Sequence, residues 1–258
     1  MRSELRFNVG ERANVDVDVA AGTLELHVGP VGIICVSFDV ANDDDLLITQ
    51  IGDTVSIVEK SRWISRGRQS RIVVQVPHRS DLSVKAASLD VITRGPLGSV
   101  RCRSASGDVE VDVVDRIDVS TASGDVRVGT VNGDAGFNTT SGEIKVRALS
   151  GRLTAQLTSG DLAADVVGAG VQVGTASGDV RIGRCDGSDI QIKTVSGRIR
   201  LGLPAGIRVD PEIATMSGKV SLPKPAPSLI EPSAERRSVR VRLRSVSGDI
   251  RIDRITPI

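Results

Sequence analysis

Apolar and polar residues alternate along most of this chain, and Ser-Gly-Asp interrupts the alternation at regular intervals. Residues 104–111 read Ser-Ala-Ser-Gly-Asp-Val-Glu-Val, residues 121–128 Thr-Ala-Ser-Gly-Asp-Val-Arg-Val, and residues 175–182 Thr-Ala-Ser-Gly-Asp-Val-Arg-Ile. Weaker copies carry their glycine at Gly142, Gly160, Gly197, Gly218 and Gly248. From Gly107 onward, successive glycines are 17, 18, 18, 18, 19, 21 and 30 residues apart. A degenerate copy, Ala87-Ser88-Leu89-Asp90-Val91, has Leu89 in the glycine place 18 residues before Gly107. Alternation at period two is the mark of a half-buried strand. A second, weaker strand follows each glycine at about half the repeat, as in Ile117-Asp118-Val119, Leu153-Thr154-Ala155 and Val171-Gln172-Val173.

Two short strands per 18-residue unit predict an all-β chain whose main part is a parallel β-solenoid (β-helix). Each coil then stacks on the next at about 4.8 Å. One inward column reads Val109, Val126, Ile144, Leu162, Val180, Ile199, Val220, Ile250. Outward, an acidic column (Asp108, Asp125, Glu143, Asp161, Asp179) continues into Arg198, Lys219 and Asp249. Beside it run Glu110, Arg127, Lys145, Ala163, Arg181, Arg200, Ser221 and Arg251. Opposite charges in neighbouring columns read as surface ladders that confer solubility and register.

Residues 1–85 lack the repeat and read as an antiparallel β hairpin or sandwich-like cap leading into solenoid repeats over residues 86–258. One expected hairpin turns at Ala20-Ala21-Gly22-Thr23 between Val15–Val19 and Leu24–Val28. Another joins Thr54–Glu59 to Arg71–Val76 through a basic connection that holds the only tryptophan. Arg62, Trp63, Arg66 and Arg68 of that connection form a candidate interaction loop for a partner or an anionic membrane surface. Prolines are absent between Leu97 and Leu203, as an unbroken ladder requires. They crowd residues 223–237, which read as an insertion before the last coil.

Composition fits the same picture. There are 36 Val and 21 Ile against 17 Leu, with three Phe, one Trp and no Tyr, so the core is built of thin, β-branched residues. A net charge of +1 gives no overall field for a polyanion, and four aromatics supply no base-stacking platform. No nucleic-acid partner is expected unless charge is concentrated locally. The chain shows neither an apolar leader nor a run of about 18 apolar residues, so a cytoplasmic location is expected. Cys35, Cys102 and Cys185 are odd in number and widely spaced, which fits reduced, buried thiols.

Chemistry-bearing motifs are sparse. His27 and His78 lie outside any recognisable nucleophile motif, and neither G-x-S-x-G nor a P-loop occurs. Calcium-binding nonapeptide solenoids carry G-G-x-G-x-D, whereas this chain has no Gly-Gly pair. Glycoside hydrolysis needs two clustered carboxylates, but here carboxylates recur coil after coil. No cofactor or metal is expected. The expected role is a non-enzymatic structural or interaction protein that presents a rigid repeat surface to a protein or envelope partner. The alternatives are a self-assembling, bactofilin-like filament and, behind it, a polysaccharide-acting β-helix enzyme.

Three pieces together resemble a bacterial family of β-strand-repeat proteins known as putative adhesins, a domain of unknown function. They are Val15–Val28 with its Ala-Gly turn, Arg-Ile-Val-Val-Gln-Val-Pro at 71–77, and the repeated Thr-Ala-Ser-Gly-Asp-Val. The resemblance implies an N-terminal β segment leading into a β-solenoid, and no established enzymatic activity. It transfers no functional residues.

Overall fold

The computed structural model describes residues 2–39, 46–60, 70–223 and 238–255. They form strands, turns and bends only; no helix among them is long and apolar enough to cross a membrane. The first eight strands are β1 (Arg2–Asn8), β2 (Asn14–Val28), β3 (Ile33–Asp39), β4 (Leu46–Ile51), β5 (Thr54–Glu59), β6 (Ser70–Val76), β7 (Asp81–Ser106) and β8 (Val109–Ser123). Short strands then alternate between two walls: β9 (Val126–Val131), β10 (Ala135–Ser141), β11 (Ile144–Leu149), β12 (Leu153–Ser159), β13 (Leu162–Val167), β14 (Val171–Ser177), β15 (Val180–Cys185), β16 (Asp189–Ser196) and β17 (Ile199–Pro204). The chain ends with β18 (Arg208–Ser217), β19 (Val220–Ser221), β20 (Ser238–Ser247) and β21 (Ile250–Ile255).

The first wall holds β10, β12, β14 and β16 in parallel register, for example Leu153↔Val171↔Ile190. The second wall holds β9, β11, β13, β15 and β17, for example Ile144↔Leu162↔Val180↔Ile199. The expected inward column fills the space between the walls except at Val220, which is exposed on the outermost coil. Ile144, Leu162, Val180 and Ile199 on one side and Leu153, Val171 and Ile190 on the other are almost wholly buried. β-branched side chains suit this place because they are stiff and sit well on a pleated surface.

Two expectations about the N-terminal segment are corrected. β2 is not a hairpin: it runs unbroken round a corner at Gly22, whose φ is +138°, and pairs in parallel with β7 from Asn14↔Asp81 to His27↔Arg94. β5 and β6 do not pair with each other either. They lie parallel to the two halves of β2, as in Val15↔Val55 and Leu24↔Ile72, and make a further coil. Antiparallel pairing is confined to the strands that close this end: β3 on β6, β1 on β3 and β4 on β5. The parallel ladder thus begins upstream of residue 86.

The order of coils in space departs from the order in sequence at both ends. At the N-terminal end, the β2 coil lies between the β5–β6 coil and β7. At the other end, β20 pairs with β16 on one side and β18 on the other, and β21 lies likewise between β17 and β19. The last coil in sequence is therefore spliced in as the second-last in space. Chain ends fray unless tied down, and here both terminal coils carry a ladder on each side.

Among the described residues, no strand pairs with the far edge of the outermost coil, β18–β19. Inward-facing residues direct their N–H toward the following coil, as Leu153 does to the Gly170 carbonyl and Ile250 to the Lys219 carbonyl. Pro211 is in register with inward-facing Val241, so it stands where an N–H would face that edge. A residue without the donor is what blunts an edge strand against further pairing.

Candidate functional site

Each corner of the second wall from Gly107 on is built from Ser-Gly followed by a charged residue, most often Asp. The corner glycines Gly107, Gly124, Gly142, Gly160, Gly178, Gly197, Gly218 and Gly248 have φ between +113° and +149°, and a Cβ at Gly160 would lie 2.1 Å from the Gly142 carbonyl oxygen. Only glycine tolerates both the conformation and the contact. Leu89 occupies the column without a positive φ and buries its side chain instead.

The acidic column does more than charge the surface. The Asp108 carboxylate accepts the backbone N–H of Asp125 at 2.9 Å, Asp125 that of Glu143 at 3.0 Å, and Asp161 that of Asp179 at 2.7 Å. Asp179 in turn accepts from the Arg198 N–H at 2.8 Å. Each carboxylate thus caps a donor one coil on. The Glu143 N–H lowers the Asp125 pKa against the opposing effect of burial. At Asp179 burial is the largest influence and raises the value. The Arg198 N–H and guanidinium outweigh it, so the net shift is downward.

The neighbouring column forms the candidate site. Arg181, Arg200 and Arg251 are exposed and stand in register on adjacent coils. Two residues on, the Gly183 backbone is half-buried with no side chain over it, whereas Gly202 is buried beneath Ile255, whose Cδ1 lies 2.3 Å from where a Gly202 Cβ would stand. The arginines, the Gly183 backbone and Ile255 enclose a trough of about 400 Å³. Arg251 is held by Asp253 at 2.8 and 2.9 Å. Arg181 and Arg200 form no ion pair among the described residues. Toward the N-terminal end, Ala163 precedes Arg181 in the column, and a second groove of about 670 Å³ lies over Gly129 between Arg127, Lys145 and Arg147. There Arg127 and Lys145 are paired with Asp125 and Glu143 at 2.8 and 2.7 Å.

The spliced coil completes the trough. In sequence order Ser221 would follow Arg200, but in space β21 brings Arg251 beside Arg200, and Ser221 lies beyond it. The sequence reading took these arginines as part of a charge ladder. A trace was present in Arg-Val-Gly (127–129), Arg-Ile-Gly (181–183) and Arg-Leu-Gly (200–202), each a cation followed two residues later by an absent side chain.

The candidate loop residues Arg62, Trp63, Arg66 and Arg68 lie outside the described residues, as does most of the Pro-rich insertion. Cys102 and Cys185 are free and buried, and burial pushes both thiols up to about 11, where a reactive thiolate is scarce. His27 lies on the strand surface with Nε2 3.7 Å from Glu25. Among the described residues no group of three or more His, Cys, Asp or Glu is arranged to hold a metal ion.

The family model for Toastrack DUF4097 matches residues 11–253, and the chain belongs to that family. No curated protein matches it. Among solved structures, a "putative lipid binding protein" from Parabacteroides distasonis ATCC 8503 is 12% identical over 98% of this chain and 96% of its own, with a TM-score of 0.50. A "putative adhesin" from Bacteroides fragilis NCTC 9343 is 13% identical over 98% of this chain and 97% of its own, with a TM-score of 0.49. At such identity the likeness concerns the fold alone.

Proposed function

We propose that this protein is a non-enzymatic interaction module that binds its partner through the outer face of the second wall. The observation that carries this reading is the pair Arg181 and Arg200, two like charges in register on adjacent strands beside the half-buried Gly183 backbone. Like charges directly opposite each other destabilise a sheet, so a ligand that neutralises them is the natural reason for their presence. Solved relatives named for adhesion or lipid binding are compatible with an interaction role. Filament growth by strand addition is disfavoured at the far edge of the outermost coil, where Pro211 removes a donor.

A photo-crosslinking amino acid placed at Ala163, in the Arg181 column, tests the reading against one placed at Gln172 on the first wall. In the native host, adducts dominated by position 163 are expected. Adducts formed equally from both positions, or only from position 172, would overturn it.

A further inference from the structure

We infer that the trough binds an acidic polysaccharide, a linear chain with one carboxylate per sugar ring. This rests on the second wall being the binding face and goes on to name the ligand. Arg181, Arg200 and Arg251 repeat at the coil spacing of about 4.8 Å. A guanidinium offers a planar fork that matches a carboxylate through two hydrogen bonds. Among the described residues, Arg181 and Arg200 form no ion pair, while Arg251 gives its Nε to Asp253. The missing side chain at Gly183 leaves room for a ring to lie between the cations and Ile255, which covers Gly202.

Other polyanions fit less well. An extended acidic peptide presents same-side carboxylates about 6.8 Å apart, so it loses register with the arginines after one step. Single-stranded nucleic acid gains affinity from aromatic stacking, and no aromatic residue lines the trough. A bilayer is flat, whereas the Gly183 backbone is recessed behind the arginine side chains. The carboxylates nearby limit the site rather than fill it. Asp179 feels the Arg200 charge but is engaged by Arg198, and Asp253 holds Arg251. Ala163 and Asp165, one coil before Arg181 and Gly183, end the cationic run on that side. The arginine run thus spans three coils, or about 10 Å.

Calorimetric titration of the full chain with oligogalacturonate at low salt provides the test, with maltohexaose, inorganic phosphate, oligo(dT) and phosphatidylglycerol vesicles as parallel probes. Saturable binding of oligogalacturonate above all other probes is expected. Arg200→Gln should weaken it by about tenfold, as expected for loss of one charge-assisted contact, and Arg200→Lys should leave an intermediate affinity. The Arg200→Gln melting temperature should stay level or rise, because a like-charge contact has been removed. Tighter binding of oligo(dT) or vesicles, or oligogalacturonate binding indifferent to Arg200→Gln, would overturn the inference. If oligogalacturonate does not bind while position 163 still crosslinks to a partner, the ligand class fails and the binding face stands.

Discussion

The backbone N–H of Lys219 donates to the Asp249 carboxylate at 2.8 Å, although Asp249 comes 30 residues later in the chain. Everywhere else in the column the acceptor precedes its donor in sequence, as Asp108 precedes Asp125. The inversion follows from the splice, which sets the Asp249 coil before the Lys219 coil in space. Asp249→Ala should free the Lys219 amide and cost about 1 kcal/mol, the low end for a charge-assisted bond because the site is exposed. Hydrogen exchange would show faster exchange at Lys219, with Ile199 unchanged.

Positive φ and close contact act together at the corner glycines, and two substitutions separate them. Gly160→Ala faces a φ of +135° and a carbonyl oxygen 2.1 Å from the new Cβ, whereas Gly52→Ala has a φ of +59° and open space. The first should cost on the order of 3 kcal/mol or more, and the second about 1 kcal/mol. Urea denaturation of both variants, read as the shift in midpoint, checks the ranking.

A column of buried hydroxyls runs along the inner edge of the first wall. Thr121 Oγ1 donates to the Ser123 carbonyl at 2.8 Å, while the buried Thr175 Oγ1 has no partner among the described residues. Removing an unpartnered buried hydroxyl lifts a desolvation cost, and removing a bonded one loses a bond. Thr175→Val should therefore raise stability by about 1 kcal/mol, and Thr121→Val should lower it by about the same amount. Thermal melts of the two variants should move in opposite directions.

Acid should loosen the corners. The Asp125 and Asp179 pKa values are both depressed in the folded state. Their contribution is thus complete above the ordinary aspartate value of about 3.9 and is lost as the pH falls through the lower folded values. Urea midpoints should be flat from pH 7 to about 5 and fall below about pH 4. Asp125→Asn, whose amide oxygen still accepts the Glu143 N–H, should shrink the acid-dependent loss.

The repeat period and the inward columns were legible because alternation and spacing report which residues are equivalent. Spatial order is a different matter, since equivalent coils can stack in any sequence the connections permit. The 30-residue gap from Gly218 to Gly248 was the trace of the splice, yet it reads equally well as a simple insertion. Ala20-Ala21-Gly22-Thr23 has the chemistry of a hairpin turn. Aligning Gly22-Thr23-Leu24-Glu25-Leu26 with Gly107-Asp108-Val109-Glu110-Val111 places it instead at a coil corner. The capping role of the aspartates was hidden because alternation records which face a side chain takes, and says nothing of a backbone donor one coil away.

The coil order underlies the core, the corner caps and the arginine trough alike, and engineered disulfides read it directly. Val195 and Met216 each stand opposite Val246 on the exposed edge of the first wall, flanked by the paired Thr194↔Ser245 and Thr215↔Ser245. Neighbouring strands lie about 4.8 Å apart, within disulfide reach, and strands two coils apart exceed the limit of about 7 Å between Cα atoms. Under mild oxidation, Val195→Cys/Val246→Cys should form a bond seen by mass spectrometry, and Val195→Cys/Met216→Cys should not. The reverse outcome, with 195 joined to 216, would mean that the coils stack in sequence order and would contradict the spliced solenoid.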